Sequence, residues 1–162
     1  MRKRKHESTK DLFVFGPLPR VHIFRAGDAA KILGVEKWRL EKFLTGKQYK
    51  LSPSGHIGKG RGSWRLFSHQ DLYRIGIADQ IVADGFTARF VSMVLQEVED
   101  RELLNIDERG ESRADDIAVF RTEKGPSVTR KPGTHGKPYY VLNVRELIQQ
   151  IDRQIEQYRK AG

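Results

Sequence analysis

The chain has 162 residues, of which 38% are hydrophobic and 31% are charged, and it carries a net charge of +9 with a pI near 9.9. This length and composition suit one globular core with a small appendage. Without cysteine, disulfides, thiolate metal sites and a cysteine nucleophile are excluded. No apolar run approaches the roughly 18 residues of a membrane span, and the basic start is not followed by a signal-peptide core. We therefore expect a cytoplasmic protein without a membrane partner.

The positive charge is concentrated in the first 65 residues. They hold 16 Lys and Arg against 5 Asp and Glu, whereas residues 66–162 hold 14 against 16. Such a distribution is typical of a protein with a polyanionic partner, although basic surfaces also aid solubility. The first part of the chain is therefore the predicted binding region.

Residues 1–23 are predicted to form a basic arm and an extended lead-in. Five of the first ten residues are Lys or Arg, the composition of a mobile arm that follows a phosphate backbone or stays solvated. The aromatic and proline residues that come next favour an extended segment packed on the following domain.

Residues 24–99 are the predicted main domain, which begins with two short helices. Small and aliphatic residues recur at helical spacing before Gly34, which supplies the tight turn that ends the first helix. The second helix is predicted over residues 36–44 and ends at Gly46. Two helices joined by a glycine turn are typical of a helix-turn-helix, in which the second helix enters the major groove of DNA.

A basic, glycine-rich stretch follows over residues 47–63. It predicts a β-hairpin with strands 48–52 and 63–67 and a long mobile tip, which is the wing of a winged helix-turn-helix. Glycine allows close approach of the backbone to a partner, and the basic side chains supply charge for phosphates. The spacing does not match the phosphate-binding loop of nucleotidases, GxxxxGK followed by Ser or Thr.

Two longer helices complete the main domain. Ser68, with Asp71 three residues later, predicts the N-cap of a helix that ends near Ala83, and Thr87 predicts the N-cap of the next helix. Their apolar stripes indicate core packing rather than cofactor contacts.

Residues 100–142 are predicted to form an acidic connector and a β-hairpin. The β-prone segments 117–121 and 139–142 would pair across a basic loop rich in glycine and proline. Whether this region binds an effector, a protein partner or nothing stays open.

Residues 143–162 are predicted to form a C-terminal dimerisation helix. Asn143 and Glu146 have the spacing of a capping box. Five apolar side chains then recur at spacings of four, three, four and three, as in a coiled coil. They are Val144, Ile148, Ile151, Ile155 and Tyr158. Because this seam spans only about two heptads, the alternative that the helix packs on the preceding hairpin of its own chain stays open.

Three stretches of the main domain occur in a recognisable order. They are AGDAAKILGV at 26–35, WRLFSHQDL at 64–72 and IADQIVADGFTARFVSMVL at 77–95. Together they resemble the DNA-binding domain of the MerR family of bacterial transcription regulators. In that family the second stretch joins the wing to the third helix, and the third stretch contains a Gly-Phe step, here Gly85 and Phe86.

The resemblance implies a winged helix-turn-helix, dimerisation through a C-terminal helix, and bending or untwisting of promoter DNA. Glu41, Lys42 and Phe43 stand where members usually carry an Arg-Tyr-Tyr-like run that contacts the DNA backbone, and the wing tip is longer than usual. The C-terminal part has no cysteine, which speaks against the thiolate metal and redox sensing of some members.

We therefore expect a mainly α fold with a small β component, made of a winged helix-turn-helix, a β-hairpin and a C-terminal helix. The expected function is sequence-specific binding of double-stranded DNA by a homodimeric, nucleoid-associated transcription regulator. The second helix would face the major groove, the wing would hold the adjacent backbone or the minor groove, and the first helix would add phosphate contacts. The residues expected to contact DNA are Arg25, Lys31, Lys37, Trp38, Arg39, Lys42, Lys59, Arg61 and Arg65. As alternatives, Trp38 could pack in the core and Arg65 could be held in an ion pair.

Two other functions stay open. One is an architectural or accessory DNA-binding protein, because excisionases and terminase small subunits use similar winged modules. The other is a protein-interaction module, such as an antiactivator or antitoxin-like partner. An enzyme is not expected, since the five histidines are dispersed without metal-ligand spacing. No catalytic residue, metal or cofactor is predicted.

Overall fold

The computed structural model describes residues 24–45, 48–49, 51–57, 64–100, 117–123, 125–129 and 138–162. This part of the chain is mainly helical with two small antiparallel sheets, which confirms the predicted fold class. The predicted basic arm, the wing tip and most of the acidic connector lie outside the described residues.

The helices and strands are numbered in chain order. They are β1 (Phe24–Arg25), α1 (Ala26–Leu33), α2 (Lys37–Thr45), β2 (Gly55–Ile57), β3 (Trp64–Phe67), α3 (His69–Ala83), α4 (Ala88–Asp100), β4 (Ile117–Thr122), β5 (Gly125–Thr129), β6 (Tyr140–Leu142) and α5 (Val144–Ala161).

The first two helices form as predicted, and both ends of α1 are chemically defined. Asp28 accepts a hydrogen bond from the backbone N–H of Arg25 at 3.0 Å, which caps α1. Gly34 has φ of +64°, a left-handed conformation that glycine adopts without strain, and it ends α1. The chain then enters α2 after only three residues.

The first sheet has the order β1-β3-β2 and corrects the predicted hairpin. The first strand of the hairpin is β2, not residues 48–52. It pairs with β3, and Gly55 lies opposite Leu66. Tyr49 and Leu51 suggested a strand, but both are buried in the core, and the Tyr49 ring packs edge-on against Phe43 with centroids 4.9 Å apart. This packing holds the segment beside α2 instead of in the sheet.

Helices α3 and α4 confirm the predicted caps. Ser68 and Asp71 form a reciprocal capping box at the start of α3. Thr87 Oγ1 accepts from the backbone N–H of Phe90 at 3.4 Å, at the start of α4. Between the two helices Gly85 adopts φ of +88°.

The second sheet has the order β5-β4-β6. The predicted pairing of 117–121 with 139–142 is confirmed, since Val119 lies opposite Tyr140. Strand β5 was not predicted, because Gly125 and Pro126 are typical of a loop. Proline is tolerated there because β5 is an edge strand.

Helix α5 is part of the core and not an exposed seam. Its stripe of Val144, Ile148, Ile151 and Ile155 is buried within one chain, mainly against α1 and α3. A Cβ atom at Gly76 of α3 would lie 2.6 Å from Ile151 Cδ1, so glycine lets the two helices approach closely. This corrects the predicted dimerisation seam, because its apolar side chains are already covered. Homodimerisation itself stays a prediction.

Two tyrosine–carboxylate hydrogen bonds join α5 to the main domain. Tyr158, the fifth residue of the predicted seam, donates to Asp28 Oδ1 at 2.6 Å, and Tyr73 of α3 donates to Asp152 Oδ1 at 2.5 Å. Burial, assisted by the Asp152 carboxylate, raises the pKa of the Tyr73 phenol well above its usual range. The hydrophobic core also joins these parts of the chain, because one cluster contains buried residues from the predicted segments 24–99, 100–142 and 143–162.

Candidate nucleic-acid interface

The side of α2 that faces away from the core carries two lysines and a tryptophan. Leu40 and Phe43 are buried on the opposite side of the helix. Lys37 and Lys42 are exposed, as helical periodicity predicts, and Trp38 is exposed beside them. We call these three residues the outer face of α2. The outer face therefore combines positive charge with one large aromatic ring.

Trp38 does not pack in the core. Its side chain is 65% exposed, the largest exposure among the large hydrophobic residues that the structure describes. The packing alternative for Trp38 is therefore wrong. A partner that covered this ring would gain binding free energy, because aromatic side chains bury about 150–250 Å² when fully enclosed.

Arg39 is directed away from the outer face. Its Nε atom lies 2.6 Å from Asp79 Oδ1 of α3, and the two side chains are 35% and 27% exposed. The contact is an ion pair by distance rather than a well-directed hydrogen bond, since Asp79 Oδ1 has no hydrogen-bond partner of good geometry. The predicted major-groove contact of Arg39 stays a prediction, and it would require this pair to open, because the carboxylate already compensates the charge of Arg39.

Arg65 is also in an ion pair. Its guanidinium donates to Glu41 Oε2 of α2 at 2.5 Å. The ion-pair alternative is thus confirmed, and the predicted phosphate contact would require this pair to open. Glu41 is one of the residues at which the chain departs from the MerR pattern. Together the two pairs connect α2 to α3 on one side and to β3 on the other.

Helix α1 adds further basic side chains. Arg25 and Lys31 are exposed at its two ends, and Lys31 lies in the last turn, where a cation interacts favourably with the helix dipole. Lys59 and Arg61, the two predicted contacts in the wing tip, lie outside the described residues.

Asp71 has a positioning role that the sequence did not reveal. Its carboxylate is buried, and Oδ2 accepts from Ser68 N at 2.8 Å and from Ser54 N at 2.9 Å. The hydroxyls of the same two serines lie 3.2 Å apart. The carboxylate of Asp71 therefore holds the chain that enters β2 against the start of α3. A capping pattern predicts only the Ser68 contact, because Ser54 is 17 residues away.

A second surface feature is an open groove beside α4. Its volume is about 640 Å³, and its lining includes Gln48, Arg89, Ser92 and Met93. Ser92 Oγ donates to the Gln48 carbonyl at 2.5 Å, which holds one wall of the groove. Within the described ranges no three His, Asp or Glu side chains cluster as metal ligands, and no helix has the length and apolarity to cross a membrane.

Comparison with known proteins does not assign the chain to a family. No protein-family model matches the chain, and no curated protein is significantly similar to it. The resemblance to the MerR family stays a prediction, and the function is inferred from the geometry of the chain.

Proposed function

We propose that this protein binds double-stranded DNA sequence-specifically through the outer face of α2 and acts as a transcription regulator. The observation that carries the proposal is that α2 presents Lys37, Trp38 and Lys42 outward. Two ion pairs hold the same helix on either side. A helix that is fixed to the body of its domain and basic on its outer side is suited to the major groove.

The order of elements supports a winged helix-turn-helix interpretation. Helices α1 and α2 are joined by a three-residue turn with Gly34 in the left-handed conformation. The β2–β3 hairpin follows, and the Arg65–Glu41 pair places it beside α2. In winged modules the second helix enters the groove while the hairpin lies along the neighbouring backbone.

Charge supports a nucleic-acid partner rather than a neutral one. The first 65 residues carry 16 Lys and Arg against 5 Asp and Glu. The one acidic residue within α2, Glu41, is compensated by Arg65. A polyanion that approaches α2 would therefore meet a positive surface, on which the charge of Glu41 is already neutralised by Arg65.

The proposal includes a homodimer on DNA. Two copies would place two α2 helices in successive turns of the major groove, roughly 34 Å apart, on a site with two-fold symmetry. Their contact would lie outside the α5 stripe, because that stripe is buried in the single chain. Sedimentation of the complex with one duplex would measure the number of copies bound.

The test is selection from a random duplex pool, followed by affinity titrations over a series of salt concentrations. The wild-type protein is expected to select a shared motif and to bind it about 10³-fold tighter than random duplex. The variant Lys37→Ala/Lys42→Ala should flatten the slope of log affinity against log salt by about 1.8, since each lost phosphate contact contributes about 0.9. Arg153→Ala/Lys160→Ala, on the exposed side of α5, removes the same charge and should leave the slope nearly unchanged.

Other outcomes would replace this function. Equal binding of the selected and random duplexes would indicate an architectural role. The absence of any duplex binding would favour a protein-interaction module. An equal loss of slope in both double variants would show that net charge, and not the outer face of α2, determines binding.

A further inference from the structure

Most polar side chains that could read bases from α2 are engaged within the protein. Arg39 is paired with Asp79, and Glu41 is paired with Arg65. Thr45 Oγ1 donates to the backbone carbonyl of Glu41 at 2.7 Å, one turn earlier in the same helix. Arg39, Glu41 and Thr45 are therefore occupied, and Lys37 and Lys42 are the exposed polar side chains of α2 that could still hydrogen-bond to a base edge or a phosphate.

Trp38 is the large group that remains on this helix. It is 65% exposed and lies on the side opposite the buried Leu40 and Phe43. Lys42 is one turn further along, on the same side of the helix, and Lys37 precedes the tryptophan directly. The outer face of α2 thus consists of an indole between two ammonium groups. If this face enters the major groove of DNA, the indole would contact the bases while the ammonium groups lie near the phosphates.

We propose that Trp38 packs against the C5-methyl group of a thymine in the major groove and so selects a T·A pair at one position of each half-site. This inference depends on the proposed function. The thymine methyl is the apolar group that a base pair presents in the major groove, and cytosine lacks it. An indole makes an apolar contact there that needs neither Arg39 nor Glu41, and the flanking lysines favour duplex DNA over an apolar protein surface.

The test removes only the methyl group. In the selected duplex each thymine is replaced singly by deoxyuridine, which keeps every hydrogen-bonding group of the base. At one position per half-site the wild-type protein is expected to lose affinity about fourfold, the effect of one buried methyl-sized group. At the other positions affinity should stay the same.

Two variants identify the protein side of the contact. Trp38→Ala should bind the thymine and deoxyuridine duplexes equally, and its exposed position predicts a wild-type melting temperature. Lys42→Ala should bind both duplexes more weakly but keep the fourfold ratio between them. That ratio separates a contact to the methyl group from a general loss of affinity.

The outcomes distinguish this inference from the proposed function. If the wild-type protein binds its motif and no deoxyuridine substitution changes affinity, the thymine contact is wrong while DNA binding stands. The same holds if Trp38→Ala keeps the fourfold ratio. Tighter binding of a single strand than of its duplex would instead indicate stacking of Trp38 on an unpaired base, and would overturn the inference. Without any duplex binding both proposals fail.

Discussion

Helices α2 and α5 are both amphipathic, and both were expected to contact a partner, but they differ in which side chains stay exposed. Helix α5 buries its whole apolar stripe within the chain, against α1 and α3. Helix α2 buries Leu40 and Phe43 and leaves Trp38 exposed. An apolar stripe shows that a helix packs on something, but not on what. A partner surface is found among the side chains that remain exposed after the chain has filled its own core.

The difference is also energetic. Each fully buried isoleucine of α5 contributes about 1.5–3 kcal/mol to folding relative to an exposed one. The largely exposed Trp38 contributes little by the same measure, because most of its surface stays in water. We therefore expect α5 to determine stability and α2 to determine binding.

The largest expected effect follows from truncating the α5 stripe. Ile151→Ala should lower the free energy of unfolding by about 2–5 kcal/mol, because the side chain is buried against α3 and leaves a cavity. Trp38→Ala should change it by less than about 0.5 kcal/mol. Urea denaturation measures both. If Ile151→Ala kept full stability and only weakened self-association, α5 would be an intermolecular seam after all.

An intermediate effect is expected at Asp71. Asp71→Ala leaves the backbone N–H groups of Ser54 and Ser68 without their acceptor. It should lower the free energy of unfolding by about 1–3 kcal/mol. It should also reduce protection of the DNA flanks in a hydroxyl-radical footprint, since the β2–β3 hairpin is less firmly placed. Asp71→Asn keeps one acceptor oxygen and serves as the matched control with a smaller loss. An unchanged footprint in a folded Asp71→Ala protein would remove the hairpin from the interface.

The smallest expected effect concerns the ion pair of Glu41. Glu41→Gln removes a partly exposed pair, so it should cost only about 0–1 kcal/mol of stability. It releases Arg65 for a phosphate and should steepen the salt slope of DNA binding by about 0.9. Glu156→Gln, exposed on α5, makes the same charge change away from the outer face of α2 and should not alter the slope. Equal slopes in the two variants would place Arg65 outside the interface.

Local chemistry made much of the fold predictable. The bounds of α3 and the start of α5 follow from capping residues, and the end of α1 follows from Gly34. Strand β2 and the placement of α5 did not follow, because they depend on contacts between segments far apart in the sequence. The backbone of Ser54 is held by Asp71, and Ile151 packs where Gly76 leaves room.

The candidate site divides in the same way. Helical periodicity predicted that Lys37 and Lys42 face outward, and the structure places them there. The same pattern favoured packing for Trp38, which is exposed instead. Periodicity could not predict that Arg39 and Arg65 are paired, since Asp79 and Glu41 lie 40 and 24 residues away in the sequence. A basic residue in the right stretch is therefore a candidate contact only after its own carboxylate partners are known.

The most direct measurement of the central claim is ¹⁹F NMR of the protein labelled with 5-fluorotryptophan. The chain has two tryptophans, so two resonances are expected, and Trp38→Phe assigns them. In the free protein the Trp38 resonance should show a large solvent isotope shift between H₂O and D₂O, because the ring is exposed. Addition of the selected duplex should move that resonance and abolish its isotope shift. A bound duplex that leaves both unchanged would contradict the account, because the outer face of α2 would then not be the surface that meets DNA.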